Sequence, residues 1–257
     1  MSRRLCAVAL LALICRSADA SSLPIARVLG ATVFTNPGTK VETVTFGTIG
    51  LSDVVWGIAD LTIAGQPFPS IDAHAKSGPA PAAQTVARAV GSLEYTFEIS
   101  GPTSQIPVLV TIAGAATGLA GIGASFAVES SWSLAGVAGI LASDSIVSGQ
   151  MTGSFSDSFA RTFSLLLSTN QLYTIAMRAD ANAGFTAGTS STASAFIDPL
   201  FALGPGVNPL DYTLNFSSGI GNTPAAVDPV PEPATGALLL GGLGAALVRR
   251  RRRLATR

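Results

Sequence analysis

The 257-residue sequence predicts an all-β fold, an antiparallel β-sandwich of jelly-roll character, flanked by an N-terminal signal peptide and a single short C-terminal transmembrane helix. Three observations predict it. Apolar and polar residues alternate with a period of two in several segments, clusters of Gly, Pro, Asn and Ser separate those segments, and an apolar run flanked by arginines lies near each end.

The alternation is clearest in Leu93-Glu-Tyr-Thr-Phe-Glu-Ile99, where the apolar residues share one parity and the polar ones the other. In a strand successive side chains point to opposite faces, so this segment predicts a half-buried strand. The same parity recurs at Phe126, Val128, Trp132 and Leu134, at Tyr173, Ile175, Met177 and Ala179, and at Tyr212, Leu214 and Phe216. Gly65 to Pro69, Gly78 to Pro81, Gly101-Pro102 and Gly204 to Pro209 predict turns between them. No long stripe of helical period competes. Many short strands with frequent turns are the cue for an antiparallel sandwich or barrel.

Residues 100–128 carry no charge and are long enough to span a membrane, and Gly114-x-x-x-Gly118 fits a helix-packing motif. Against a helix, Pro107 and the four glycines 114, 118, 121 and 123 interrupt the segment, and Ile106, Val108, Val110 and Ile112 alternate as a strand does. The expectation is strand, small-residue hairpin loop, strand.

At the N-terminus Arg3 and Arg4 precede the apolar run Leu5 to Ile14, and Ala18-Asp19-Ala20 offers a small-x-small cleavage pattern. This order is that of a secretory signal peptide spanning residues 1–20, with cleavage after Ala20. Cys15 follows Ile14, where a lipidated mature cysteine requires a small residue, so a lipoprotein signal is not indicated.

The C-terminal order is Val230-Pro231-Glu232-Pro233, an uncharged run over 234–248, then Arg249, Arg250, Arg251, Arg252 and Arg253. The two prolines disfavour helix and hold the tetrapeptide extended, a form suited to a peptidase or transferase cleft. As a helix the uncharged run would reach about 22 Å, short of the roughly 30 Å hydrocarbon core. Such a span inserts only with bilayer thinning or snorkelling, which suits a transient stay. The arginines stop transfer and hold the C-terminus in the cytoplasm. A basic nucleic-acid tail is the alternative for a run of like charge, and the adjoining apolar run and the secretion signal speak against it. The organisation expected is therefore a signal peptide at 1–20, a β-sandwich at 21–222, a linker at 223–229 and a sorting segment at 230–253.

The whole chain is formally neutral, yet residues 21–233 hold six basic residues against fourteen acidic ones, a net charge of −8. An acidic body lacks the basic footprint that nucleic acid requires. Both cysteines, Cys6 and Cys15, fall in the signal peptide, so the exported body depends on a core without disulfides. About 200 residues suffice for one core.

The Val-Pro-Glu-Pro motif, the apolar run and the arginine cluster, in that order over residues 230–253, resemble the PEP-CTERM sorting signal of Gram-negative bacteria. The resemblance implies recognition by a membrane-embedded exosortase, an inner-membrane intermediate, removal of the tail, and delivery to the cell envelope surface or an exopolysaccharide matrix. A GPI signal follows the same logic, with the hydrophobic tail discarded. Tyr173 to Met177, Ala193 to Pro199 and Tyr212 to Asn222 more weakly resemble a β-rich domain found upstream of this signal, which implies a fold and no activity.

Catalytic constellations are sparse. His74 is the only histidine, and Asp72 with Ser77 nearby would be needed for a triad, but there is no Gly-x-Ser-x-Gly elbow, and a polar loop histidine is ordinarily solvated. One histidine and no mature cysteine make a poor transition-metal set, and no cofactor is expected. Glu94 with Glu98 and Asp53 with Asp60 are conceivable carboxylate pairs, although Glu94 and Glu98 share the polar face of one strand. Asp180-Ala-Asn-Ala-Gly184 opens like a calcium loop without its later acid and predicts a turn. Gly118-x-x-Gly121-x-Gly123 lacks the order of a dinucleotide fingerprint. Asn215-Phe-Ser217 matches a glycosylation sequon within an expected strand. Three function classes follow: a non-enzymatic envelope or matrix protein, a carbohydrate-binding sandwich using Trp56, Trp132 or Tyr95, and a secreted hydrolase.

Overall fold

The structure is a computed structural model that describes residues 23–35, 39–53, 57–78, 85–185 and 189–222. The expected signal peptide, linker and sorting segment lie outside these residues, as does Trp56. Thirteen strands occupy the described chain: β1 (Arg27–Thr35), β2 (Thr39–Thr43), β3 (Gly47–Asp53), β4 (Gly57–Ala64), β5 (Ser70–Ser77), β6 (Thr85–Ser100), β7 (Gln105–Ala120), β8 (Ala124–Gly136), β9 (Gly139–Met151), β10 (Gly153–Ser168), β11 (Leu172–Phe185), β12 (Ser191–Leu203) and β13 (Thr213–Phe216).

They form two antiparallel sheets packed face to face. The first has the order β2-β1-β6-β11-β8-β9, and the second β10-β7-β12-β5-β4-β3. Strand β6 spans sixteen residues, and β11 takes one of its edges. Its other edge is shared, with residues 87–94 paired to β1 and 97–100 to β13.

The expected alternation is observed where it was clearest. Leu93, Tyr95, Phe97 and Ile99 of β6 are buried, as are Phe126, Val128, Trp132 and Leu134 of β8 and Tyr173, Ile175, Met177 and Ala179 of β11. Phe97 stands at the centre of an aromatic cluster, with ring centroids 4.8 Å from Phe201, 5.2 Å from Tyr173 and 5.6 Å from Phe216. Each fully buried side chain of this size contributes about 1.5 to 3 kcal/mol, which is how a body without disulfides holds together.

Four local expectations are corrected. Residues 100–128 do form strand, glycine turn, strand, but not a hairpin: β7 belongs to the second sheet and β8 to the first. The turn at 121–123, closed by Ala124 N–H donating to Gly121 O at 3.0 Å and by Gly123 at φ +80°, carries the chain across the sandwich. Gly114 and Gly118 are not breakers, because they lie inside β7 beneath the rings of Phe159 and Phe126. His74 sits within β5 rather than a loop, and residues 180–184 continue β11 rather than turning. In both places alanines occupy inward positions, and an alanine face gives little hydrophobic contrast in sequence.

The body ends in a clasp. Ser217 N–H donates to Thr96 O at 2.9 Å while Thr96 N–H donates to Ser217 Oγ at 2.8 Å, which ties the strand end to the first sheet. Asn222 reaches the second sheet, accepting from Phe201 N–H at 2.8 Å and donating to Phe201 O at 2.6 Å. A single side-chain amide there does the work of a strand partner.

Candidate functional site

A row of polar side chains of mixed type lies on the outer face of the second sheet. Asp60 on β4, His74 on β5, Ser194 on β12 and Thr117 on β7 are successive register partners, so they form one rung across four strands. The adjacent rung is Ile58, Lys76, Thr192 and Leu119. All of these but Leu119 line a shallow open groove of about 310 Å³. Gly50 on β3 faces Asp60, and its missing side chain leaves room for the carboxylate. His74 Nε2 lies 2.9 Å from Asp72 Oδ1, and Thr117 and Ser194 join hydroxyls at 2.6 Å. Asp60, Asp72, His74, Lys76 and the hydroxyls of Thr117, Thr192 and Ser194 suit hydrogen bonding to a polar, extended ligand. They do not assemble the Asp72, His74 and Ser77 set, because Ser77 lies at the opposite parity from His74.

Ser77 is fully buried between the sheets. Its Oγ is 2.9 Å from Ser191 Oγ, accepts Ser191 N–H at 3.2 Å, and thereby braces β5 against β12. The Asp72, His74, Ser77 combination is thus split by strand parity into an exposed pair and a core hydroxyl.

The outer face of the first sheet holds an ion-pair network in place of the expected turn. Asp180 accepts from Arg88 Nε at 2.9 Å and Arg178 Nη2 at 2.7 Å, while Arg178 Nε donates to Glu129 at 3.1 Å. Arg88 Nη2 also pairs with Asp180. The Asp180 hydrogen bond holds the Arg88 guanidinium above its ordinary pKa, against the opposing effect of burial. Asp180 is spent on arginines and offers no calcium ligand.

The carboxylate pairs also separate. Glu94 and Glu98 lie on the half-buried outer face of β6, in register with Ala176 and Leu172 of β11. In the β3/β4 register Asp60 is opposite Gly50, while Asp53 is opposite Gly57, three positions along. Asp198 on β12 is half-buried, and burial pushes its carboxyl above the usual range, with a hydrogen bond from the Ala113 backbone opposing. Tyr95, pressed further by the charge of Asp198, has its hydroxyl raised chiefly by burial.

Two of the three candidate sugar platforms are in the core, while Trp56 lies outside the described residues. Tyr95 is 1% exposed and Trp132 3%, the latter edge-on to Phe163 at 5.5 Å. Asn215 of the sequon donates from Nδ2 to Ser100 Oγ at 2.9 Å, and Ser217 is buried. Among the described residues, no three or more His, Cys, Asp or Glu side chains gather into a metal set. No described helix is long and apolar enough to cross a membrane. The sequence did not single out the hydroxyl rung, since register partners on β4, β5, β12 and β7 are far apart in the chain.

The expected sorting residues Val230, Pro231, Glu232 and Pro233, the stop-transfer residues Arg249 to Arg253, and the cleavage residues Ala18 and Ala20 lie outside the described residues. The comparison with known families falls on that tail. Residues 229–253 match the family model of the PEP-CTERM protein-sorting motif. The chain is therefore an exported protein that bears a PEP-CTERM sorting signal, and the matched segment is a non-catalytic sorting domain. The match covers the tail and leaves the β-sandwich unassigned. No curated protein matches the chain.

Proposed function

We propose that this protein is a non-enzymatic component of the cell envelope or of an exopolysaccharide matrix, delivered by its C-terminal signal. The observation that carries this is the PEP-CTERM match over 229–253, preceded by a body whose last described residues are stitched to both sheets. Clasped at Asn222, the sandwich precedes Val230 by eight positions, so it sits close to the processing segment without containing it. An exosortase is the processing partner. The apolar run at 234–248 holds a transient inner-membrane intermediate with its C-terminus in the cytoplasm, Val230 to Pro233 form the recognition motif, and Arg249 to Arg253 stop transfer. Signal-peptide cleavage follows Ala20.

The strand order supports a jelly-roll body. Strands β5, β12, β7 and β10 in one sheet and β6, β11, β8 and β9 in the other follow the eight-strand jelly-roll order, with β1 to β4 extending one side. Deleting residues 229–257 tests the sorting role. The truncated protein should be misrouted, accumulating in the periplasm or medium, and unchanged surface delivery of the truncation would overturn the proposal.

A second reading, glycan binding, is supported by the groove on the second sheet and not by the buried Tyr95 and Trp132. Hydroxyls, Asp60, His74 and Lys76 present directional hydrogen-bond partners to a polymer lying across the strands. Cosedimentation of the exported protein with extracted exopolysaccharide, lost in H74A and K76A, would support it. Equal retention by wild type and both variants would remove the groove from consideration.

A further inference from the structure

Strand β10 is an edge strand of the second sheet, and among the described residues it pairs only with β7. Exposed strand edges carry unpaired N–H and C=O groups, and proteins commonly blunt them with short strands, lysine, proline or bulges. The opposite side of this sandwich follows that rule, ending in β2 with five residues and β3 with seven. Strand β10 does not. It runs for sixteen residues in uninterrupted register with β7, without Lys or Pro.

Its sequence is nearly a palindrome about Phe159: Ser154, Phe155, Ser156, Asp157, Ser158, then Ala160, Arg161, Thr162, Phe163, Ser164. Antiparallel pairing of two such strands about a two-fold axis at Phe159 would place Phe155 opposite Phe163 and Asp157 opposite Arg161, each twice. The small hydroxyl residues would meet on the other face. A two-fold interface requires this self-complementarity, in which each residue meets a different residue of the partner copy and is met by it in return. Asp157 is exposed and takes part in no ion pair among the described residues, its Oδ1 accepting only Ser158 N–H at 2.8 Å. Arg161 is also exposed; one guanidinium nitrogen lies 3.0 Å from Asp144, and other donors remain for a second carboxylate. The neighbouring edge, β9, has no such match, because self-pairing about its central Ser145 would set Asp144 opposite Ile146 and give the carboxylate no cation.

We propose that this protein forms a two-fold homodimer through antiparallel β10 to β10 pairing centred on Phe159, which joins the second sheets of two copies into one. The full chain in detergent micelles, measured by light scattering after size exclusion, should be dimeric at micromolar concentration. Asp157→Arg and Arg161→Asp should each weaken self-association about tenfold, since two opposite-charge cross-strand pairs become like-charge pairs. Mixed together, these two variants should form a heterodimer, because each then meets its complement. Asp157→Arg disturbs no contact of the folded chain beyond the Ser158 hydrogen bond, so its result stands even if Arg161→Asp loses stability with Asp144. As an independent readout, Ser158→Cys and Ala160→Cys in one full chain that also carries Cys6→Ser and Cys15→Ser should cross-link two copies on oxidation, no other cysteine being present. A monomeric wild type, a dimer unaffected by Asp157→Arg, or absence of the cross-link would overturn the proposal.

Discussion

Gly118 of β7 lies directly beneath the ring of Phe126 of β8, so close that a Cβ at Gly118 would overlap the ring carbons. The two residues sit in opposite sheets, and the absent side chain of one is the space the other fills. Phe126 in turn meets Phe155 of β10 at 6.4 Å, so this contact links three strands. Gly118→Ala should destabilise the fold by about 1 to 3 kcal/mol through overpacking. In combination with Phe126→Leu the loss should be less than additive. Thermal or urea unfolding of the two single variants and the double variant checks it, and strict additivity would contradict the packing.

Asp180 is 8% exposed and compensates two arginines at once. Asp180→Ala leaves Arg88 and Arg178 without their shared partner. Full burial would put the cost at 3 to 5 kcal/mol, but both arginines keep partial solvent access, so about 2 kcal/mol is expected. That corresponds to a fall in Tm of about 4 to 8 °C. Arg88→Met should cost less, because Asp180 retains Arg178. Calorimetry on both variants orders the two effects, and the reverse order would refute the network.

Ser77→Ala removes a fully buried hydroxyl that accepts from Ser191, and should cost about 1 to 2 kcal/mol. His74→Ala, which disrupts an exposed pair with Asp72, should change stability by less than about 1 kcal/mol. A secreted hydrolase using Asp72, His74 and Ser77 would give the opposite signature, with small stability effects and loss of activity from either change.

Asp198 sets a pH dependence of definite sign. Its folded pKa is raised by burial above the unfolded value of about 3.9. The unfolded state therefore binds fewer protons between those two values, and stability falls as pH rises through that window. Above the folded pKa the penalty is fully present. Asp198→Asn keeps an acceptor for the Ala113 N–H and removes the charge, so it should raise Tm at pH 7. That advantage should shrink as the pH is lowered toward 4. A variant less stable than wild type at pH 7 would show that the ionised carboxylate is favoured.

The strongest strands were legible because their inward positions carry Leu, Phe, Ile or Trp, as in Leu93 to Ile99. Strand β5 was not, since Ala73 and Ala75 fill its core face and His74 looked like a loop residue. Residues 180–184 misled for a similar reason, with Ala181 and Ala183 inward and an acid outward whose arginine partner, Arg88, lies 92 positions away. Trp132 and Tyr95 were open to two interpretations in sequence, and burial removed them from the surface.

The sequence by itself determined the C-terminal sorting motif, the net charge of residues 21–233 and the β character of the body. Those properties depend on local order: a proline-flanked motif, the length of an apolar run, a cluster of arginines, a period of two. The tertiary structure alone decided which sheet each strand joins, that Ser77 and His74 face opposite ways, that Gly118 makes room for Phe126, and that β10 is left with a free, self-complementary edge. Strand pairing and close packing join residues far apart in the chain, so their consequences appear only when the sheets are assembled.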